Sequence, residues 1–154
     1  MHLYLVQHGE AKSKEQGPQR HLTEKGLRDV QKAADFIKAL TLTADAIWHS
    51  GKARAAQTAE ILASAIAVSQ GVLQREGLAP NGPIAMIAKE LSSLDEDVMI
   101  VGHMPFLGKL ASALVAGDES ADIIAFQQGG VVCLERDEDN IWRVKWMIIK
   151  ELMP

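Results

Sequence analysis

Polar and apolar positions change period several times along this chain. Leu3-Tyr4-Leu5-Val6, Ala46-Ile47-Trp48 and Val98-Met99-Ile100-Val101 are short continuous apolar runs. They predict strands over 2–7, 45–49 and 97–102, with another near 71–74. Continuous rather than alternating apolar runs are what parallel strands buried on both faces require. Between them, helical spacing predicts four amphipathic helices. The first follows Thr23, a suitable N-cap, with Leu27, Val30, Ala34, Ile37 and Leu40 on its inner face. The second runs from about Lys52 through Ala55, Ala59, Leu62, Ala63 and Ile66. The third begins near Pro83, a residue suited to a first turn, and carries Ile84, Ile87, Ala88, Leu91 and Leu94. The fourth starts at Pro105, carries Phe106, Leu107, Leu110, Ala111, Leu114 and Val115, and stops at Gly117.

The C-terminal part changes character. Gly129–Glu135 and Trp142–Ile149 flank the polar stretch Arg136–Asn140, the pattern of a hairpin. Trp142, Val144 and Trp146 alternate with Arg143 and Lys145, which predicts one wet face. The expected fold is α/β: a three-layer α/β/α sandwich with a mostly parallel central sheet and a C-terminal antiparallel hairpin. No repeat or linker divides the chain, so one domain over residues 1–154 is expected.

Composition narrows the function classes. The 16 Lys and Arg form no dense run, and the net charge is −4, a balance that argues against a nucleic-acid partner. No segment approaches the ~18 apolar residues of a membrane span, and the N-terminus enters a strand without a basic leader. A cytoplasmic protein with no membrane partner is expected. The single cysteine, Cys133, rules out an intrachain disulfide, and its apolar flanks predict a buried, inert thiol.

The chemistry gathers where the strands end. The first strand runs into Gln7-His8-Gly9-Glu10, the second into His49-Ser50 with Arg54 following, and the third into Gly102-His103. In an open α/β sheet, ligands bind in the crevice outside the carboxyl ends of the strands. Arg20 closes a polar loop after the first strand. Arg54 lies in the first turn of the second helix, where free N–H groups favour an anion. The three ends would bring His8, Arg54 and His103 to one small anion. His2, His21 and His49 match no pattern and are expected to be structural, with His21 and His49 near the mouth. No metal-ligand spacing such as HxxxH occurs, so no metal and no cofactor are expected.

Gln7-His8-Gly9, Arg20 with Leu22-Thr23-Glu24-Lys25-Gly26, Ser50 with Arg54-Ala55 and Gln57-Thr58-Ala59, and Gly102-His103 come in one order. In that order they resemble the histidine phosphatase superfamily, most closely its small SixA branch of phosphohistidine phosphatases. The likeness runs from residue 1 to about 117. It implies a phosphoglycerate mutase-like fold and a metal-independent phosphatase. In this reading His8 is the nucleophile, and Arg54, Arg20 and, if protonated, His103 neutralise the phosphoryl oxygens. Gln7, Gly9, Glu10, Arg20 and Ser50 bind the substrate or its phosphate. The implied partner is a phosphohistidine-containing protein or a small phosphorylated substrate.

One position departs from the family. Its signature begins with arginine, and here that position is Gln7, which can donate hydrogen bonds but offers neither charge nor guanidinium fork. Two alternatives therefore stay open beside the phosphohistidine phosphatase. One is a degenerate family member that binds a phosphorylated ligand with little turnover. The other is a general phosphomonoesterase on small phosphates that uses Glu10 or Glu76 as the acid.

Overall fold

The computed structural model describes all residues 1–154. In chain order the elements are β1 (His2–Gln7), α1 (Glu24–Ala39), β2 (Thr43–Ala44), β3 (Ala46–His49), α2 (Ala53–Ala63), β4 (Ala67–Val68), β5 (Val72–Gln74), α3 (Ala85–Ser93), β6 (Val98–Gly102), α4 (Phe106–Ala116), β7 (Val131–Arg136) and β8 (Trp142–Ile148). Six strands form one sheet in the order β5-β3-β6-β1-β7-β8, and β2 and β4 pair separately. β5, β3, β6 and β1 are mutually parallel, while β7 and β8 complete the sheet antiparallel.

Burial on both faces explains the continuous apolar runs. Leu3 and Leu5 of β1, Ala46 and Trp48 of β3, and Val98 and Ile100 of β6 point into a core shared with α3 and α4. The intervening Tyr4, Val6, Ile47, Met99 and Val101 point into a second core under α1 and α2. A charge placed on either face of β6 would have no water to reach, since its five residues are all buried.

Thr23 caps α1 by accepting the Gly26 N–H at 2.9 Å, as its position predicted. The buried face of α1 is rotated from the expected one. Leu27 and Leu40 are exposed, and Gly26, Val30, Ala33, Ala34 and Ile37 face inward. Gly26 sets that rotation, because a Cβ there would lie 2.1 Å from the Glu10 carbonyl oxygen. α2 stops at Ala63, short of Ile66, and α3 starts at Ala85, so Pro83 precedes its N-cap, Ile84.

The hairpin also differs from the regular alternation expected of it. Leu134 pairs with Val144 but Cys133 pairs with Trp146, so the register slips at Lys145. A bulge adds one residue to one strand and reverses the faces beyond it. Trp142 consequently packs into the α3/α4 core while Trp146 lies against the α1/α2 core. Arg136 ties the hairpin to the end of α3 by donating to the Leu91 carbonyl and, at 2.8 Å, to that of Leu94. Cys133 is fully buried, and burial pushes its thiol up to about 11. No helix is long and apolar enough to cross a membrane.

Candidate active site

Parallel strands deliver their carboxyl ends to one edge of the sheet. Gln7 is in register with Gly102 across β1 and β6, so the next residues, His8 and His103, stand side by side with ring centroids 5.0 Å apart. β3 flanks β6 on its other side, which brings Ser50 and the start of α2 to the same edge. β7 runs antiparallel to β1, so it is the lead-in to β7 that reaches this edge, and Gln128 forms a bridge with Gln7.

Gln7, His8, Arg20, Arg54, His103 and Gln128 line a cavity of about 400 Å³ together with Pro80, Asn81 and Met104. No carboxylate lines it. The chemistry of the cavity therefore belongs to two imidazoles, two guanidinium groups and three carboxamides.

His8 is held in one tautomer. Its Nδ1 lies 2.7 Å from the Gly9 carbonyl oxygen, which can only accept. Nδ1 therefore carries the proton and Nε2 keeps a free lone pair. Arg54 Nε–H donates to that lone pair at 3.3 Å. Burial lowers the His8 pKa from 6.5; the Gly9 contact opposes the shift, and Arg54 and Arg20 add to it. A neutral imidazole with a lone pair beside two guanidinium groups can attack an electrophile that carries anionic oxygens.

The charge role of His103 depended on a protonated ring, and its surroundings oppose that form. It is 1% exposed, and burial, followed by the fields of His8 and the nearby cations, lowers its pKa to about 3. Its Nε2 shares a 2.6 Å hydrogen bond with Ser50 Oγ. The positive charge at the site belongs to Arg54 and Arg20. Arg20 adopts a left-handed backbone (φ 52) inside a closed loop: Ala11 bridges Leu22, and Arg20 Nε donates to the Lys12 carbonyl at 2.9 Å.

Three residues from the sequence reading have other duties. Glu10 accepts from Thr23 Oγ1 at 2.6 Å and sits at the start of α1, outside the cavity lining. Gly9 serves packing rather than ligand approach, because a Cβ there would meet Val30 Cγ2 at 2.6 Å. Ser50 stands behind His103 rather than in the lining, and α2 has no side-chain cap. Glu76 is exposed and also outside the lining. His49 accepts the Gly51 N–H at 3.0 Å, His21 is exposed, and His2 lies at the far end of β1. No group of three or more His, Cys, Asp or Glu side chains converges.

Sequence reasoning missed Gln128, Asn81 and the support from Thr58. Thr58 is fully buried, accepts the Gly9 N–H at 3.1 Å and donates to the Arg54 carbonyl at 2.8 Å, which couples the His8 loop to α2. Gln57 does the same for the long loop by accepting the Leu22 N–H at 2.7 Å. Gln128 had a signal: a strand antiparallel to the first must begin at the crevice, so its lead-in belongs to the site.

The imidazole environments give a testable titration. His8 should titrate below 6.5 and His103 near 3 when their ring resonances are followed by NMR. Their folded-state pKa values are depressed, so the unfolded chain takes up protons first. Their contribution to stability is complete above 6.5 and declines as the pH falls toward 3. A His8 midpoint above 6.5 would contradict the neutral, buried imidazole.

Known proteins share the family and the fold of this chain. A family model described as the histidine phosphatase superfamily (branch 1) matches residues 3–79. An uncharacterized protein of Picosynechococcus sp. is 31% identical over 167 residues, covering 96% of this chain and 99% of the relative. Among solved structures, the protein histidine phosphatase SixA complexed with tungstate superposes with a TM-score of 0.85 at 21% identity, covering 97% of each chain. The α-ribazole phosphatase of Shigella flexneri gives 0.77 at 15% identity, again over 97% of each. A phosphoserine phosphatase of Entamoeba histolytica gives 0.70 at 16% identity over 96% of each. At these identities the superpositions establish the fold.

Proposed function

The chain belongs to the histidine phosphatase superfamily, and on that premise we propose that it is a metal-free phosphohistidine phosphatase of the SixA type. The observation that carries this reading is the unprotonated Nε2 of His8, which accepts from Arg54 and lies with Arg20 in a cavity that no carboxylate lines. His8 Nε2 attacks phosphorus, and the phosphorus–nitrogen bond of the substrate breaks as the new one forms. The substrate ring arrives already protonated on its other nitrogen, so when the phosphorus–nitrogen electron pair returns to it the imidazole departs neutral and needs no acid from the site. Water then cleaves the His8 phosphoramidate, giving inorganic phosphate and free His8. Arg54 and Arg20 offset the charge on the phosphoryl oxygens, the main requirement of phosphoryl transfer. An alkoxide leaving group needs an acid at hand, and a protonated imidazole does not. The carboxylate-free lining therefore favours a phosphoramidate over an alkyl phosphate.

Turnover of phosphohistidine, phosphoramidate and an aryl phosphate, each with a chelator present, tests the proposal. Preference for the two phosphorus–nitrogen substrates is expected. Preference for the ester would support a phosphomonoesterase, a reading favoured by the resemblance to the α-ribazole and phosphoserine phosphatases. Binding without turnover of any of them would mark a degenerate member.

Gln7 distinguishes the working enzyme from the binder. It lines the cavity, so an arginine there would reach the same anion. A charge-assisted hydrogen bond contributes about 1.5–3 kcal/mol, so Gln7→Arg should raise kcat/KM by roughly ten- to a hundredfold. Tighter phosphate binding without any rise in rate would indicate a binder. A variant changed in neither would show that position 7 does not touch the ligand.

A further inference from the structure

Beside the histidine cavity lies a larger bay of about 690 Å³ that shares Arg20, Arg54, Pro80 and Asn81 with it. Its outer wall adds Lys14 from the long loop and Lys52 from the N-cap of α2. No carboxylate lines the bay. None of Lys14, Arg20, Lys52 and Arg54 takes part in an ion pair anywhere in the structure. Four uncompensated cations on one concave surface are unexpected in a chain with 20 acidic and 16 basic residues.

The charges have a graded arrangement. Arg20 and Arg54 are half-buried and face both concavities, whereas Lys14 and Lys52 are exposed at the outer rim. The fork-like donors that best hold a phosphate, Arg20 and Arg54, also face the inner cavity, which leaves the two lysines as the charges proper to the bay. Two lysines from separate elements instead present mobile point charges, which suit several carboxylates spread along a chain. The bay is also larger than one phosphoryl group needs, and in the reading above that group belongs to the inner cavity.

We propose that this bay docks an acidic segment of a protein substrate, with Lys14 and Lys52 taking Asp or Glu side chains that flank the phosphorylated residue. The proposal rests on the phosphatase reading above, and it selects a phosphoprotein over a small phosphorylated metabolite. Charge of one sign in a cleft raises the local concentration of an oppositely charged partner and speeds its capture by 10-fold or more, an effect that salt suppresses.

The test uses two phosphohistidine peptides of equal length, one flanked by Asp and Glu and one by Asn and Gln. kcat/KM is measured for the wild type, Lys14→Glu and Lys14→Glu/Lys52→Glu. In parallel, fluorescence anisotropy records binding of the same peptides carrying a non-hydrolysable phosphonate in place of the phosphoryl group. The acidic peptide should be preferred by about tenfold at low salt. Added NaCl should shrink the preference, and the double variant should abolish it. Lys14→Glu should leave phosphoramidate turnover unchanged.

Equal rates and equal binding for the two peptides would overturn the proposal, as would a preference that survives in the double variant. Displacement of the acidic peptide by fructose 1,6-bisphosphate, at concentrations where fructose 6-phosphate has no effect, would give the bay to a second phosphate and likewise overturn it. Wild-type protein that turns over neither peptide would count against the phosphatase reading, and anisotropy would still decide the bay.

Discussion

His8→Ala should eliminate the phosphoenzyme and lower turnover on the order of a thousandfold or more, because removing a covalent nucleophile leaves only binding and charge stabilisation. Among the cavity residues His8 alone combines a fixed tautomer with a lone pair whose only partner is a cation, since the Gly9 carbonyl holds Nδ1 and Arg54 Nε–H donates to Nε2 at 3.3 Å. The neighbouring His103 cannot easily substitute. Its Nε2 is engaged by Ser50, and its Nδ1 is buried without a partner. Rapid mixing with labelled substrate, followed by an alkaline quench that preserves phosphohistidine, should trap label on the wild type and none on the variant. Added imidazole should restore part of the rate by occupying the vacated space, without labelling the protein. A variant that retains wild-type turnover would overturn the assignment of His8.

The sheet and its helices were legible because their signals are local. β1, β3 and β6 are buried on both faces, and that demand appears directly as unbroken apolar runs. What escaped was set by contacts between distant segments. The outward turn of Leu27 goes with the close approach of Gly26 to the Glu10 backbone, sixteen positions along the chain, where no Cβ would fit. The split of Trp142 and Trp146 between two cores follows from a register slip against β7. The site shows the same division. His8, Arg54 and His103 could be assigned to one crevice because each follows a recognisable strand end, and the fold brings all three to one cavity. Glu10 could not be excluded, because only the folded chain reveals Thr23 as its partner. The group that fixes the His8 tautomer is a backbone carbonyl, which no side-chain pattern announces.

Arg54→Ala should cost about a hundred- to a thousandfold in kcat/KM, the range seen when a preorganised transition-state donor is removed. Arg54 makes two contributions. It donates to the attacking nitrogen of His8 in the free protein, and its half-buried guanidinium, with Arg20, supplies the positive charge of the cavity. As phosphorus is attacked, charge must be matched at its oxygens, and a water-filled gap left by alanine matches it poorly. Arg54→Lys should recover only part of the loss, since an ammonium restores charge without the planar fork. His103→Ala should also slow the reaction. Its neutral ring offers a hydrogen-bonding group rather than a charge, so its loss should be smaller. His8 and His103 are 5.0 Å apart and Arg54 reaches His8, so the Arg54 and His103 effects should be coupled. In a double-mutant cycle on kcat/KM, the combined loss should therefore fall short of the sum of the two single losses. Strict additivity would mean that Arg54 and His103 act on separate anions, and a single phosphoryl site could not be retained.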